Sequence, residues 1–303
     1  MISNPTPSVE VNEIAKAFGP TQAVQDISFA VQRGEIFGLL GPNGAGKTTT
    51  IRIILDIFKA DRGSVVVLGG PMTEAKKDLI GYMPEDRGLY QDIPLEQCLQ
   101  YLGRLKGMSA VEMKSRLGEL LERFDLATHK KKKVKELSKG MQQKAQIITT
   151  ILHQPELIII DEPFTALDPL NTQAVKDLIR ELSAEGATIL MSTHQMHQVE
   201  ELCDRILLID QGCNLLYGRL DEIQRQFSGH AVLVRTDGKI PQVPGVQEIT
   251  QHNKSVQLTL KEDTTPQQVL KSLLEAQVII EKFELAVPSL DEIFVRAVKG
   301  GQL

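Results

Sequence analysis

The 303-residue sequence contains no tryptophan, only 4% aromatic residues and three cysteines. Cys98, Cys203 and Cys213 are odd in number and far apart, which argues against a disulfide framework or a zinc site and fits a reducing cytoplasm. No run approaches the ~18 apolar residues of a membrane helix, and residues 1–7 lack the basic and apolar regions of a signal peptide. We therefore expect a chain that is neither secreted nor membrane-spanning.

The sequence also lacks a strong excess of charge. Its formal net charge is -5, with 42% hydrophobic and 24% charged residues, a composition typical of a globular protein. The acidic balance argues against a general nucleic-acid binder, so no nucleic-acid partner is expected. Four consecutive lysines at 130–133 are the exception. Because no aromatic residues are interleaved, the run fits a solvated loop, with a site for phosphate or lipid headgroups as the alternative.

Residues 1 to about 220 alternate apolar runs with amphipathic helical patterns, which predicts a parallel sheet flanked by helices. Ile36–Leu40 is a predicted strand followed directly by a helical pattern. The unbroken apolar runs at 157–160 and 188–191 predict two further strands that are buried on both faces. Between about 92 and 150, helical patterns follow one another without a strand, so we expect a helical insertion.

The last part of the chain has a different pattern. Arg205–Asp210 and a second short run predict a closing hairpin, after which a boundary is expected near 226. Alternation at 256–260 predicts a strand with one buried face, and capping patterns at Thr265 and Ser289 predict two helix starts. We expect a small α+β domain without a catalytic constellation.

The strongest chemical signal is Gly41-Pro-Asn-Gly-Ala-Gly46-Lys47-Thr48, which matches G-x-x-x-x-G-K-[ST]. It lies between the predicted strand and the predicted helix, the context that such a phosphate-binding loop requires. Backbone N–H groups and the positive end of the helix dipole would bind the phosphates. Lys47 would reach the β- and γ-phosphates, and the Thr48 hydroxyl would coordinate Mg²⁺.

Two adjacent carboxylates, Asp161 and Glu162, follow the apolar run at 157–160. Taken alone, the pair could equally be a solvated strand end. After a phosphate-binding loop, the pattern predicts that Asp161 holds the Mg²⁺ shell and that Glu162 polarises the attacking water.

Three further segments resemble motifs of the ABC ATPases. Leu137-Ser138-Lys139-Gly140-Met141-Gln142-Gln143-Lys144 resembles the signature motif, Thr165-Ala166-Leu167-Asp168 the D-loop, and Thr193-His194 the H-switch, whose histidine contacts the γ-phosphate. The resemblance covers essentially the whole chain. It is closest to the ATPases of ABC-2-type sodium and antibiotic exporters, because Glu85 stands where the family often has glutamine. Lys139 and Met141 also depart from the common signature toward that branch.

The resemblance implies an α/β fold with a P-loop ABC ATPase core, formed by a parallel sheet with an antiparallel edge subdomain and a helical subdomain at about 92–150. This nucleotide-binding domain would span residues 1–225, and an accessory α+β domain would span 226–303. The resemblance further implies that two ATPase subunits, in a homodimer or a heterodimer, enclose two ATP molecules head to tail. Hydrolysis would power transport, with export favoured over import, through a separate transmembrane permease subunit. The ATPase subunit would lie at the inner face of the membrane.

Residue roles follow from the same resemblance. Residues 82–90 are the candidate permease contact, with an ordinary surface loop as the alternative. Lys139 is a hypothetical partner for the extra negative charge of Glu85. Phe18 resembles the aromatic residue that stacks on adenine, although a core role is the alternative. The expected catalytic residues are Glu162, His194 and Lys47. The expected Mg²⁺ ligands are Thr48, Asp161 and Glu85. The expected ATP-binding residues are Phe18, Gly41, Pro42, Asn43, Gly44, Ala45, Gly46, Lys47, Thr48, Thr49, Ser138, Gly140 and Asp168.

Other functions remain open at this point. A soluble ABC ATPase of translation or DNA repair is the alternative, but a single phosphate loop and the absence of sustained heptads disfavour it. A GTPase is disfavoured because Asn253-Lys254-Ser255-Val256 lacks the aspartate of the guanine-reading N-K-x-D motif. A regulatory binder without hydrolysis is disfavoured because Glu162 is present.

Overall fold

The computed structural model describes residues 6–86, 88–228, 231–236, 238, 240–252, 255–261 and 263–300. The opening residues 1–5 and the pair Asn253 and Lys254 lie outside this set. The chain divides into two compact units, Met1–Leu220 and Asp221–Leu303. The division precedes the boundary expected near 226, because the helix Leu220–Phe227 begins at the division.

The first unit is built on a six-stranded sheet in the order β5-β6-β7-β3-β8-β9. All neighbours are parallel except the hairpin β8 and β9, as the sequence predicted. Strands β3, β6 and β7 are buried along their whole length, which explains their unbroken apolar character. The strands are β3 (Ile36–Leu40), β5 (Ile80–Met83), β6 (Leu157–Asp161), β7 (Thr188–Thr193), β8 (Arg205–Asp210) and β9 (Cys213–Arg219).

A second, antiparallel sheet has the order β2-β1-β4. Its strands are β1 (Val9–Phe18), β2 (Thr21–Val31) and β4 (Arg62–Val67). This confirms the edge subdomain that the family resemblance implied. The strand-helix alternation expected from the sequence does not hold for residues 9–31, which form a β-hairpin instead. Phe29 of β2 stacks on Phe37 of β3 at 5.3 Å between ring centroids, within the core of the unit.

Helices connect and cover the sheets. The helical insertion is confirmed, since the described residues of 95–151 form three helices, two short 3₁₀ segments and an isolated bridge residue. The 3₁₀ segments are Ala127–His129 and Val134–Glu136. The helices of this unit are α1 (Lys47–Ile54), α2 (Glu74–Lys77), α3 (Leu95–Leu105), α4 (Ala110–Arg123), α5 (Lys139–Ile151), α6 (Pro169–Ala184) and α7 (Met196–Leu202).

The second unit contains a four-stranded antiparallel sheet in the order β11-β12-β10-β13. Thr265 caps α9 and Ser289 caps α10, as the sequence predicted, because their hydroxyls accept from the N–H groups of Gln268 and Glu292 at 3.3 Å. The elements are α8 (Leu220–Phe227), β10 (Ala231–Arg235), β11 (Val246–His252), β12 (Ser255–Leu260), α9 (Pro266–Glu275), β13 (Lys282–Leu285) and α10 (Leu290–Gly300). Among the described residues of the whole chain, no helix is long and apolar enough to span a membrane.

Candidate functional site

The phosphate-binding loop joins β3 to α1, and its shape depends on glycine. Gly41, Gly44 and Gly46 all have positive φ, at 147°, 81° and 110°. A Cβ atom at Gly46 would collide with the carbonyl oxygen of Ala23, whereas one at Gly44 would meet nothing within 4 Å. No side chain caps α1. Its first N–H groups are therefore available to an anion, which fits phosphate binding.

Lys47, the first residue of α1, turns back into the loop. Its Nζ donates to the carbonyl oxygens of Gly41 at 2.7 Å and Pro42 at 3.2 Å. Burial lowers the pKa of Lys47, while the negative charges of Glu162, Asp161 and Glu85 raise it. Within the described residues Lys47 forms no ion pair, so its charge is not neutralised at close range and suits a polyphosphate ligand.

Asp161 ends β6 and is bound from two sides. The Thr48 hydroxyl donates to its Oδ2 at 2.8 Å, and the Ser192 hydroxyl donates to its Oδ1. Ser192 is the register partner of Asp161 on the neighbouring parallel strand β7. The hydroxyl of the phosphate-binding loop and the carboxylate of β6 therefore meet, a placement that their predicted role as Mg²⁺ ligands requires.

Glu162 follows Asp161 and has an unfavourable backbone conformation, with φ at 54°. Its buried carboxylate accepts three hydrogen bonds. Thr193 Oγ1 donates to Oε2 at 3.1 Å, while the backbone N–H and the Nδ1 of His194 donate to Oε1 at 3.0 and 2.7 Å. The carboxylate is thus fixed in position by the end of β7.

Lys47, Asp161 and Glu162 share one cavity of about 320 Å³ at the carboxyl edge of the sheet. Its lining includes nine of the residues expected from the sequence: Asn43, Gly44, Gly46, Lys47, Thr48, Thr49, Glu85, Asp161 and Glu162. In the described part of the chain, no three His, Cys, Asp or Glu side chains gather into a metal site. A single carboxylate and a hydroxyl fit Mg²⁺, which keeps water and substrate phosphate oxygens in its shell.

Other expected residues lie apart from this lining. Phe18 is 44% exposed at the end of β1 and packs edge-on against Phe58, with 5.4 Å between ring centroids. His194 lines a different cavity together with the D-loop residues 165–167. No ion pair between Glu85 and Lys139 is found among the described residues of this chain.

The signature and D-loop residues act as helix caps in this structure. The Ser138 hydroxyl accepts from the N–H of Met141 at 3.2 Å at the start of α5. Asp168 caps α6 by accepting from the N–H of Asn171 at 2.9 Å. This hydrogen bond is the largest of the causes that lower the pKa of Asp168. Gly140 lies close to Ala166, because a Cβ atom on it would stand 3.1 Å from the Ala166 carbonyl oxygen. Ser138, Gly140 and Asp168 do not line the phosphate cavity.

Sequence reasoning missed several supporting residues. Ser192 could have been found, because it immediately precedes Thr193-His194 at the end of a predicted strand. Gln143 gave no signal of its own, yet its Nε2 donates to the carbonyl oxygens of Glu162 at 3.4 Å and Pro163 at 3.2 Å. These bonds fix the segment that carries Glu162 to α5.

Comparison with known proteins agrees with this geometry. The family model described as ABC transporter matches residues 24–165, and the model described as ATP-binding protein DrrA1-3-like, C-terminal domain, matches residues 218–298. A solved structure of the ATP binding subunit of an ABC transporter superposes with a TM-score of 0.69 at 36% identity, over 73% of this chain and 93% of that chain.

Two relatives match over nearly their full lengths. The uncharacterized ABC transporter ATP-binding protein YhaQ of Bacillus subtilis (strain 168) is 40% identical over 95% of this chain and 97% of its own. The linearmycin resistance ATP-binding protein LnrL of the same organism is 31% identical over 95% of this chain and 97% of its own. The chain therefore belongs to the ABC transporter family, as an ATP-binding and ATP-hydrolysing subunit.

Proposed function

We propose that this chain binds ATP with Mg²⁺ in the cavity of the phosphate-binding loop and that Glu162 directs the water which cleaves the γ-phosphate. One observation carries the proposal: the buried Glu162 carboxylate is held by three donors beside the Thr48 and Asp161 pair. A carboxylate that is fixed in this way can accept a proton from water without first reorganising.

The Mg²⁺ site is assigned to Thr48 and Asp161, with Glu85, which lines the same cavity, as a further ligand. When bound, Mg²⁺ supplies charge neutralisation to the phosphate oxygens. Lys47 contributes a second positive charge from the loop, because its Nζ is held by carbonyl oxygens and not by a carboxylate. The residues of this chain thus orient the phosphates and the water, which is most of what phosphoryl transfer requires.

The site is assigned to a pair of subunits. Ser138 and Gly140 lie at the start of α5 and Asp168 at the start of α6, outside the cavity that Lys47 and Thr48 line. A second ATPase subunit placed head to tail would bring its own Ser138 and Gly140 to the γ-phosphate. In such an arrangement Phe18, which is exposed at the end of β1, stacks on adenine.

The energy of hydrolysis is assigned to export through a separate transmembrane permease subunit. The name of LnrL, a resistance protein, supports this direction. The candidate contact is the loop 82–90, whose described residues lead from β5 past Glu85 to the exposed Tyr90. This assignment places the chain in the cytoplasm, on the inner face of the membrane. Residues 1–225 would form the nucleotide-binding domain, and residues 226–303 would form the accessory domain. No nucleic-acid partner is expected for the chain.

Turnover of the purified Glu162→Gln variant tests the proposed role of Glu162. The amide keeps the shape of the carboxylate but loses its basicity, so kcat is expected to fall on the order of 10²- to 10⁴-fold. ATP binding should persist, and the variant should accumulate as an ATP-bound dimer. Near-normal hydrolysis would remove Glu162 from the role of base, and loss of ATP binding would point to a structural defect instead.

A further inference from the structure

Besides Thr150, whose hydroxyl donates to the Gln146 carbonyl oxygen within the helix, α5 buries four polar side chains, those of Gln142, Gln143, Lys144 and Gln146. A buried polar group costs free energy unless it is hydrogen-bonded. The bonds that these side chains make therefore show what the helix holds in place. Three of the four reach different segments around the ATP site.

Two of these side chains connect α5 to the segment that carries Glu162 and to the start of α6. Gln143 binds the backbone of Glu162 and Pro163, as described above. Lys144 Nζ donates to Asn171 Oδ1 at 2.9 Å, and Asn171 Nδ2 donates to Asp168 Oδ2 at 2.6 Å. The helix that begins at the signature is thus attached to the catalytic carboxylate segment and to the start of α6.

Gln146 connects the same helix to the loop after β5. Its Nε2 donates to the carbonyl oxygens of Pro84 at 2.8 Å and Asp86 at 3.3 Å. These two peptides flank Glu85, whose side chain lines the ATP cavity. The Oε1 of Gln146 is buried and has no partner among the described residues. The two bonds from Nε2 are accordingly what keeps this amide in place.

We propose that Gln146 is a positioning residue which transmits a nucleotide-dependent displacement of α5 to the loop that carries Glu85. The inference rests on the proposed function, because it requires ATP at the cavity and Ser138 at a second subunit's ATP. Ser138 caps α5, and Gln146 lies eight residues further along the helix, a rise of about 12 Å. A rigid helix displaced at its first turn carries Gln146 with it, and the two hydrogen bonds pull the peptides on either side of Glu85.

Transmission through Gln146 differs from a direct route through Glu85. The Glu85 side chain already faces the cavity, so ATP could reach the loop without α5. Replacing Gln146 leaves that direct route intact. The two routes are therefore separable by one substitution in α5.

The sequence contains no tryptophan, so the fluorescence of a single introduced tryptophan reports on its own surroundings alone. Tyr90 is exposed, lies at the end of the same loop, and packs edge-on against Tyr101 at 5.6 Å between ring centroids. A full-length Tyr90→Trp chain carries a single tryptophan whose emission reports on this loop. Emission is recorded with ATP and Mg²⁺ and with ADP and Mg²⁺, and ATP binding is measured separately by equilibrium dialysis.

In the Tyr90→Trp chain we expect an emission shift with ATP that ADP does not produce. Adding Gln146→Met, which keeps the length but removes the donor, should abolish most of this shift while the Kd for ATP stays unchanged. Gln146→Glu should also abolish it, because a carboxylate facing two carbonyl oxygens repels them. The matched control is Thr149→Val, since the Thr149 hydroxyl donates only to the carbonyl oxygen of Gln146 within α5, at 2.7 Å.

A full emission shift in the folded Gln146→Met or Gln146→Glu chain would overturn the inference. An equal loss in Thr149→Val would also overturn it, because general weakening of α5 would then be the cause. No ATP-specific shift in a Tyr90→Trp chain that binds ATP normally and forms a dimer with ATP by light scattering would contradict the inference alone. Absence of ATP binding in that chain would instead contradict the proposed function and the inference with it.

Discussion

The Nδ1 atom of His194 lies 2.7 Å from Oε1 of Glu162, and the backbone N–H of His194 donates to the same oxygen at 3.0 Å. Because a carboxylate only accepts hydrogen bonds, Nδ1 must carry the hydrogen, and Nε2 is left for another partner. His194 therefore orients Glu162 in addition to the contact with the γ-phosphate that the family resemblance implies.

Substituting His194→Ala should slow hydrolysis strongly. The Glu162 carboxylate would lose one of its three donors and its fixed orientation, so we expect kcat to fall by about 10²-fold. Steady-state ATPase assays measure the effect. His197→Ala is the control, because the His197 side chain is bonded to Gln198 and not to Glu162. Similar rates in the two variants would show that His194 does not orient the catalytic carboxylate.

A chain of side chains from α5 to α6 leads to a second prediction. Lys144 is 8% exposed, and its Nζ donates to Asn171 Oδ1 at 2.9 Å. Asn171→Ala removes that acceptor and leaves Asp125, at 4.0 Å, as the remaining partner of the ammonium group. A nearly buried charge without a close partner should destabilise the fold by about 1–3 kcal/mol.

Urea denaturation followed by circular dichroism measures this change in the free energy of unfolding. Gln173→Ala provides a control on the same helix, since the exposed Gln173 side chain bonds only to Asp177, one turn away. Equal stabilities of the two variants would mean that Lys144 finds another acceptor at no cost.

Much of the fold could be predicted from the sequence, since its signals are local. The strand at Ile36–Leu40 is buried on both faces, and the glycines of the loop after it have the positive φ values that only glycine adopts freely. The hairpin at residues 9–31 could not be predicted in this way, because β1 contains register shifts that disturb its alternation. Its place in the fold came from the family resemblance.

The supporting contacts of the site were not predictable for a different reason. Ser192 binds Asp161 across two neighbouring strands, and Gln146 binds Pro84 and Asp86 from 60 or more positions away. Ser192 could have been suspected from its place before Thr193-His194, but the spacing along the chain indicates neither its partner nor the partners of Gln146, which belongs to no motif. Only the strand order and the packing of α5 bring these side chains to their partners.

The charge of Glu85 allows a third prediction. Glu85 lines the ATP cavity, and no ion pair in the described part of one chain joins it to Lys139. If a second copy of the chain supplies Lys139 to this cavity, Glu85→Gln and Lys139→Ala should be non-additive in kcat, with a coupling of about 0.5–3 kcal/mol. Alanine is chosen because glycine would also weaken the first turn of α5.

The double-mutant cycle is measured at a protein concentration at which the chain is dimeric. Effects that simply add would show that Lys139 does not compensate the charge of Glu85. A cycle with Lys135→Ala is the control, because Lys135 pairs with Asp92 at 2.6 Å and should be additive with Glu85→Gln.

His153 gives a prediction about pH. Burial, followed by the charge of Lys106, lowers the pKa of His153 to about 4 from its ordinary value of 6.5. The folded chain therefore keeps this ring neutral, and Nε2 contacts the carbonyl oxygen of Ile80 at 3.2 Å. Between pH 6.5 and pH 4 the unfolded chain binds a proton that the folded chain does not. The contribution of His153 to stability is complete above pH 6.5 and is lost as the pH falls toward 4.

The substitution His153→Gln retains a donor for the Ile80 carbonyl oxygen but cannot be protonated. We expect the free energy of unfolding to fall more steeply in the native sequence than in this variant when the pH is lowered from about 7 to about 5. Urea denaturation at several pH values provides the comparison, and carboxylates that titrate in both chains cancel in the difference. If the free energy of unfolding changed with pH in the same way in both chains, His153 would be protonated as readily in the folded chain as in the unfolded one. That result would contradict the lowered pKa that burial beside Lys106 gives His153.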